Sequence, residues 1–355
     1  MHFSKELIRW FEKNKRDLPW RHTTDPYPVW LSEIILQQTR VDQGMAYYHR
    51  FLELFPAVQD LADADEDAVM KAWQGLGYYS RARNLHYTAK FVAGELKGHF
   101  PTNLVGLIKL KGVGPYTAAA IASFCFGEVA PVIDGNVMRV LSRIHGISEP
   151  IDSSAGKKIM TETAQRLIDR DDPGTYNQAI MEFGAIHCTP QNPKCESCPF
   201  SQSCVAYRTN AVASFPVKGK KTTVKELWLY YFFLIYKEKT YLRKRTGNGI
   251  WKGLHDFPSI ESDRHLIVND VIGSFLTDSD LVGQAEVKAV TGEVIHVLTH
   301  RRIHARFVTL ELKSPWKKPA PGIFMPLISE LKDYGVSRLV DRFLESGSDE
   351  RDLFT

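Results

Sequence analysis

Four cysteines gathered in one short stretch restrict the fold of this chain more than any other feature. Cys188, Cys195, Cys198 and Cys204 are spaced C-x6-C-x2-C-x5-C, with Pro199 directly after the third and Pro190 and Pro193 stiffening the loop. Soft thiolates this close together can surround a metal centre. The run of single cysteines favours an iron–sulfur cluster over zinc, whose sites usually pair one C-x2-4-C with a second. Disulfides are the remaining reading, and they are rare in the cytosol. Cys125, inside SFCFG, reads as a buried small hydrophobe. The expected compartment follows from the start of the chain. MHFSKELIRWFEKNKR lacks the apolar core of a signal peptide, and with Ser4 as a cap and Leu7, Trp10 and Phe11 on one face it reads as a helix. No apolar run reaches the roughly 18 residues of a membrane span. A cytoplasmic protein with no membrane partner is expected.

The 355 residues, 44% of them hydrophobic, are enough for two or three domains with proper cores. Residues 1–207 read as all-helical, because clusters near Pro26, Pro56, Gly75, Gly98, Gly112, Gly127, Gly146 and Gly174 separate segments of helical period. From about Leu227 the pattern changes to β-rich runs, LWLYYFFLIY, KTYLRKR and ARFVTLEL, and a helical period returns only near Val336, Leu339, Val340 and Phe343. An α+β domain over 225–346, a basic linker at 208–224 and a frayed tail at 347–355 follow from this. The net charge of +4 is too small to diagnose a nucleic-acid partner. Its distribution says more: no acid occurs from Ser197 to Lys225, where Arg208, Lys218, Lys220, Lys221 and Lys225 are basic. That run suits a solvated linker or contact with DNA phosphates equally.

Three motifs in the helical part can carry chemistry. Leading into LKGVGPYTAAAI, the period of Leu104, Leu107 and Ile108 is broken by Gly112-Val113-Gly114-Pro115 and restarts at once, which reads as helix, tight hairpin, helix over about 104–124. The second helix starts with unpaired N–H groups that can hold a phosphate oxygen, although such a turn is also ordinary punctuation. In VWLSEIILQQTRV, Glu33, Gln37 and Gln38 lie off the apolar face of Leu31, Ile34 and Ile35, and taken alone Glu33 is a solvated helix acid. In PVIDGNVMRVLSRIHG, Asp134 precedes a helix with apolar face Val137, Val140, Leu141 and Ile144. It is a natural N-cap, yet a carboxylate just past the hairpin also suits catalysis. A fourth stretch, AWQGLGYYSRARNL, sets Leu76, Tyr78 and Tyr79 among glycines ahead of Arg81 and Arg83, a pattern for wedging a base stack or for anchoring a loop.

Hairpin, aspartate and cysteine loop in this order resemble the endonuclease III superfamily of helix-hairpin-helix DNA glycosylases, over about residues 1–207. The longer segments SEIILQQTRV, AWQGLGYYSRARNL, DGNVMRVLSR and NQAIMEFGAIHCTP resemble its MutY branch, the adenine DNA glycosylases. The resemblance implies two helical modules with the catalytic site in their cleft and a 4Fe-4S cluster on the four cysteines. It also implies a monomeric repair enzyme for adenine opposite 8-oxoguanine or guanine in duplex DNA. GNGIWKGLHDFPSIE resembles the W-x-G-L-x-x-F-P stretch of the branch's Nudix-like C-terminal domain. The R-E-x-x-E-E glutamates that hold Mg²⁺ in Nudix hydrolases do not follow, which implies a module that reads 8-oxoguanine. Its F-S-H loop is matched by Leu298-Thr299-His300; Thr299 keeps the hydroxyl, and Leu298 departs from the pattern.

Residue by residue, the resemblance makes Glu33 the acid that protonates adenine N7 and Asp134 the ionised group beneath the sugar cation, with Tyr116 and Asn136 orienting them. Trp20, Arg21, Leu36 and Gln178 line the adenine pocket, and Gln38, Leu76 and Tyr78 fill or wedge the vacated stack. The amides of Gly112 and Gly114 hold a phosphate, with a hydrated monovalent cation beside them. Relatives that cleave the strand carry lysine in G-x-G-x-K, where this chain has Tyr116. A phenol cannot form the imine. A hydrolase that leaves an abasic site is therefore expected over the alternative, an endonuclease III-like glycosylase/lyase for oxidised pyrimidines.

Overall fold

The computed structural model describes residues 3–219, 224–247, 249–298 and 300–349. They form two compact units, Met1–Asp63 with Asn84–Lys220, and Ala64–Arg83 with Lys221–Thr355. Helices fill the chain up to residue 208: α1 (Phe3–Asn14), α2 (Pro26–Leu36), α3 (Val41–Leu54), α4 (Val58–Asp63), α5 (Glu66–Ala72), α6 (Ser80–Gly94), α7 (Leu104–Leu107), α8 (Pro115–Phe126), α9 (Gly135–His145), α10 (Ser154–Leu167), α11 (Pro173–Ile186) and α12 (Val205–Arg208). Helix α5 and the start of α6 belong to the second unit. No described helix is long and apolar enough to cross a membrane.

One core of the first unit gathers Leu7 and Phe11 of α1, Ala119 and Ala120 of α8, the stripe Val137, Val140, Leu141 and Ile144 of α9, Met160 of α10, and Tyr176, Ile180 and Phe183 of α11. Each large side chain there contributes roughly 1.5–3 kcal/mol by leaving water. Phe200 and Cys204 reach into the same core, so the cysteine loop is built onto it. Ser4 lies inside α1, buried, rather than capping it. The stretch after α12 is tied down as far as 219: Ile151 N–H bonds Val217 O at 3.0 Å, and Gly219 N–H bonds Asp152 Oδ1 at 2.8 Å.

In the second unit β1 (Lys225–Tyr236) runs parallel to β8 (Arg301–Leu312), from Lys225 opposite Arg301 to Ile235 opposite Glu311. The short strands β2 (Lys239–Thr240) and β5 (Ser259–Ser262) pair with β1, while β6 (Ala285–Val290) and β7 (Val294–Val297) pair with β8. A small second sheet joins β3 (Leu242–Lys244), β4 (His255–Asp256) and β9 (Ile323–Phe324). Both faces of the main sheet are covered. Tyr230, Phe232 and Leu234 pack on Val271, Ile272 and Phe275 of α13 (Val268–Asp278), whereas Leu229 and Tyr231 share a core with Leu339 and Val340 of α14 (Arg338–Asp349). Double coverage explains why β1 reads as one apolar run instead of an alternating one. Helix α13 corrects the expectation that helical period returns only near Val336, and α14 extends three residues beyond 346.

Candidate active site

Glu33 is not a solvated acid. Helix α2, capped by Asp25, whose Oδ1 accepts the Tyr27 N–H at 2.9 Å, is buried from Val29 through Ile35, and Glu33 is only 6% exposed. Burial pushes its pKa up to about 7; the Tyr116 hydroxyl, donating to the carboxylate, and Arg21 act downward, and Asp134 acts upward. The hairpin delivers Tyr116, the second residue of α8. Gly112 turns with φ +82° in close quarters, where a Cβ would meet Asn84 Cβ at 2.7 Å, and Gly114 with Pro115 starts the helix. The Tyr116 oxygen also lies 3.8 Å from Met181 Sδ. Burial and the two carboxylates raise its pKa well above the usual phenol value, so it stays neutral.

Asp134 is both an N-cap and part of this group. Its Oδ1 accepts the Val137 N–H at 2.7 Å, and its Oδ2 accepts Asn136 Nδ2 at 2.9 Å. Burial raises its pKa from the ordinary carboxylate value, and these bonds, with the Asn136 backbone N–H, oppose the rise. Of the two carboxyls, Asp134 therefore has the richer set of donors to its anion. Asn136 in turn accepts Arg139 Nη2 at 2.8 Å, and the same guanidinium donates to Gly184 O at 2.6 Å and Cys188 O at 2.8 Å. At Gly184 a Cβ would meet Asn136 Cβ at 2.6 Å, so only glycine lets α11 approach this closely.

Arg21 ends the turn Pro19–Arg21 and is held by a buried acid. Glu182, 1% exposed on α11, accepts Arg21 Nη2 at 2.9 Å, Arg16 Nε and Nη2 both at 2.8 Å, and the Arg16 backbone N–H at 2.9 Å. These bonds outweigh burial and draw the Glu182 pKa down to about 2. Trp20 meets Tyr48 edge to face at 5.1 Å; Leu36 and Gln178 are half-buried. Gln38 is exposed just past α2 with φ +57°, a conformation that non-glycine residues rarely adopt. In the second unit Leu76 is buried, whereas Tyr78 is 47% exposed with φ +47°. Leu298 packs on the core around Tyr231, and the His300 carbonyl accepts the Lys225 N–H at 3.1 Å. Thr299 lies outside the described residues.

No disulfide joins any of the four cysteines, which removes that reading, and they line one cavity with Arg143, His187 and Lys194. Four sulfurs around one cavity match the all-cysteine donor set that holds an iron–sulfur cluster. Arg143 supports the loop, donating to Thr189 O at 2.6 Å, Pro190 O at 3.0 Å and Cys188 Sγ at 3.5 Å. The donor set fits an iron–sulfur cluster.

Three family profiles match: the HhH-GPD superfamily of base excision DNA repair proteins over residues 31–168, the iron–sulfur binding domain of endonuclease III over 188–204, and the NUDIX domain over 230–346. Among solved structures, a thermostable thymine-DNA glycosylase matches with TM-score 0.54 at 31% identity, covering 58% of this chain and 95% of that one. A non-covalent endonuclease III–DNA complex, at 22% identity and TM-score 0.51, shares the fold over 58% of this chain and 94% of its own. The adenine DNA glycosylase of Buchnera aphidicola (subsp. Schizaphis graminum) is 36% identical over 73% of this chain and 75% of its own length. The chain belongs to the adenine DNA glycosylase family. The mouse adenine DNA glycosylase extends the likeness to 98% of this chain and 78% of its own, at 32% identity.

This adenine DNA glycosylase carries a 4Fe-4S cluster, and Cys188, Cys195, Cys198 and Cys204, all inside the matched iron–sulfur domain, line one cavity whose donors suit it. Beside the expected site residues stand Arg16, Glu182, Arg139 and Arg143, which spacing alone did not single out. For Glu182, Arg139 and Arg143 the one sequence signal is a charge on a helix that is otherwise apolar, NQAIMEFGAI or NVMRVLSRI; Arg16, in the loop after α1, has none.

Proposed function

We propose that the chain is a monofunctional, monomeric cytoplasmic glycosylase that hydrolyses adenine from duplex DNA where it faces 8-oxoguanine or guanine. The observation that carries this reading is the grouping of Glu33, Tyr116 and Asp134, two carboxyls with different surroundings sharing one buried site. The adenosine leaves the stack at a cost of a few kcal/mol, which mispairing lowers. Glu33, protonated near neutrality, gives its proton to adenine N7, a step worth about 10²–10⁴ in rate. Asp134, held as the anion by Val137 and Asn136, faces the oxocarbenium-like sugar until water adds. Tyr116 stands where a lyase needs an amine, so the product is an intact strand with an abasic site. The hairpin amides of Gly112 and Gly114 take a backbone phosphate, with a hydrated monovalent cation beside them, and Gln38 and Tyr78 occupy the opened stack. The cysteine loop, with its cluster, supplies a rigid platform for basic residues against DNA.

The test uses end-labelled duplexes with adenine opposite 8-oxoguanine, guanine or cytosine, followed by alkali. Alkali-dependent cutting at adenine opposite 8-oxoguanine and guanine, absent opposite cytosine, is expected. Cutting without alkali would overturn the hydrolase assignment, and equal cutting opposite cytosine would overturn the substrate assignment.

A further inference from the structure

Residues 64–83 lie between two stretches of the helical unit in sequence, yet they are built into the second unit. Their polar contacts to it are specific. Gln74 Nε2 donates to Asp341 Oδ1 on α14 at 2.9 Å, Tyr79 Oη donates to Val336 O at 3.4 Å, and Lys71 Nζ donates to Tyr334 O at 3.4 Å. Asp67 pairs with Lys244 at 2.6 Å, and Arg83 donates to the Lys252 carbonyl. Between the anchors Gln74 and Tyr79 lies a loop with three positive φ angles, Gly75 at 97°, Gly77 at 72° and Tyr78 at 47°.

A loop with a non-glycine residue in the left-handed region keeps that shape only when its surroundings over-determine it. Three side chains do so here. Tyr79 Oη accepts the Gly75 N–H at 3.2 Å while donating to Val336 O, so one hydroxyl joins loop and C-terminal segment. Trp73 Nε1 donates to Gly77 O at 3.1 Å. Arg81 donates to Leu76 O at 3.3 Å and Gly77 O at 3.2 Å, with its guanidinium 5.0 Å from the Trp73 ring centre and 5.7 Å from that of Tyr78. The result is an exposed Tyr78 ring on a rigid base.

We propose that the segment 334–341 sets the shape of the loop 75–78 through Asp341–Gln74 and Val336–Tyr79, making Gln74 and Tyr79 positioning residues for Tyr78 and the C-terminal unit the holder of this DNA-facing wedge. The proposal rests on the reading of Tyr78 as a wedge. It means that the module reading the opposite base also controls how the stack around the target adenine is opened.

Hydrogen exchange and single-turnover excision on the full-length protein test it, using Tyr79→Phe, Gln74→Glu and the double variant Gln74→Glu/Asp341→Asn, which exchanges donor and acceptor. Faster exchange at amides 75–78 and at least about fivefold slower excision are expected for both single variants, with cluster absorbance unchanged and the double variant restored. Added to Tyr78→Ala, Tyr79→Phe should slow excision no further, since residues acting through one group are non-additive. Unchanged exchange at 75–78, or failure of the double variant to restore it, would overturn the positioning role. Wild-type excision by Tyr78→Ala, with exchange still altered in the other variants, would instead sink the wedge reading alone.

Discussion

Tyr116 and Glu33 share one hydrogen bond that lowers the proton affinity of the glutamate and raises that of the tyrosine. It moderates the effect of burial, leaving Glu33 with a pKa of about 7.

A general acid must be protonated to act. The single-turnover rate should fall about tenfold per unit above pH 7 as Glu33 loses its proton, and fall again at acid pH as Asp134, whose pKa burial raises, takes one up. Tyr116→Phe removes a bond that favours the Glu33 anion, so the alkaline fall should move to higher pH. A wild-type profile in that variant would detach Tyr116 from the acid.

Glu33→Gln should cut excision by at least about 10²-fold while duplex affinity, read by anisotropy, is kept. It should also stabilise the fold at high pH. The folded pKa lies above the ordinary value of 4.5, so the native state binds the extra proton, and stability is lost as pH rises from 4.5 to 7. Glutamine escapes that loss, and urea titrations at pH 8 should show a gain of about 3 kcal/mol that vanishes near pH 4.

Tyr116→Lys places an amine in the first turn of α8. Borohydride should then trap a covalent enzyme–DNA species that the wild type does not form. No trapped species would mean that the hairpin lysine needs further partners.

Arg139→Gln leaves the carbonyls of Gly184 and Cys188 without their donor and releases Asn136 from one side. Each buried acceptor left unpaired costs about 1–3 kcal/mol. Loss of excision together with faster bleaching of the cluster's visible absorbance under oxidant is expected; an effect on only one would sever the site from the cysteine loop.

Glu182→Gln should destabilise the protein at pH 7 by roughly 1–3 kcal/mol, because half-buried Arg21 and the more exposed Arg16 lose the buried anion they share. The Glu182 pKa is depressed, so its contribution is present above 4.5 and lost as pH falls toward 2. The deficit against wild type should shrink over that window in chemical denaturation.

Much of the architecture was legible because it rests on local signals. The hairpin is written in Gly112-Val113-Gly114-Pro115, and the cap in Asp134 two residues ahead of Asn136. The cysteine loop is written in its spacing. What spacing could not reveal was burial created by distant chain. Glu33 reads as a surface acid until α8 brings Tyr116 against it, and Arg139 reads as a helix cation until the α11 carbonyls and Cys188 surround it. Helix α13 escaped notice because its stripe of Val271, Ile272 and Phe275 is interrupted by Gly273, Ser274 and Thr277, weak helix formers. Among the described residues strands β6 and β7 pair with β8 alone and are largely exposed, so they lack the apolar pattern that marks a buried strand.

The two oxygens of Asp134 divide its labour, one holding the Val137 amide and the other turned to Asn136. Substitutions at this single position are therefore expected to fall into two kinds. Alanine removes the cap along with the charge and is expected to weaken the fold by about 1 kcal/mol. Asparagine keeps an acceptor for the amide but turns a donor toward Asn136 Nδ2, so it is expected to spare the cap while disturbing the site, leaving a folded protein that binds without turning over.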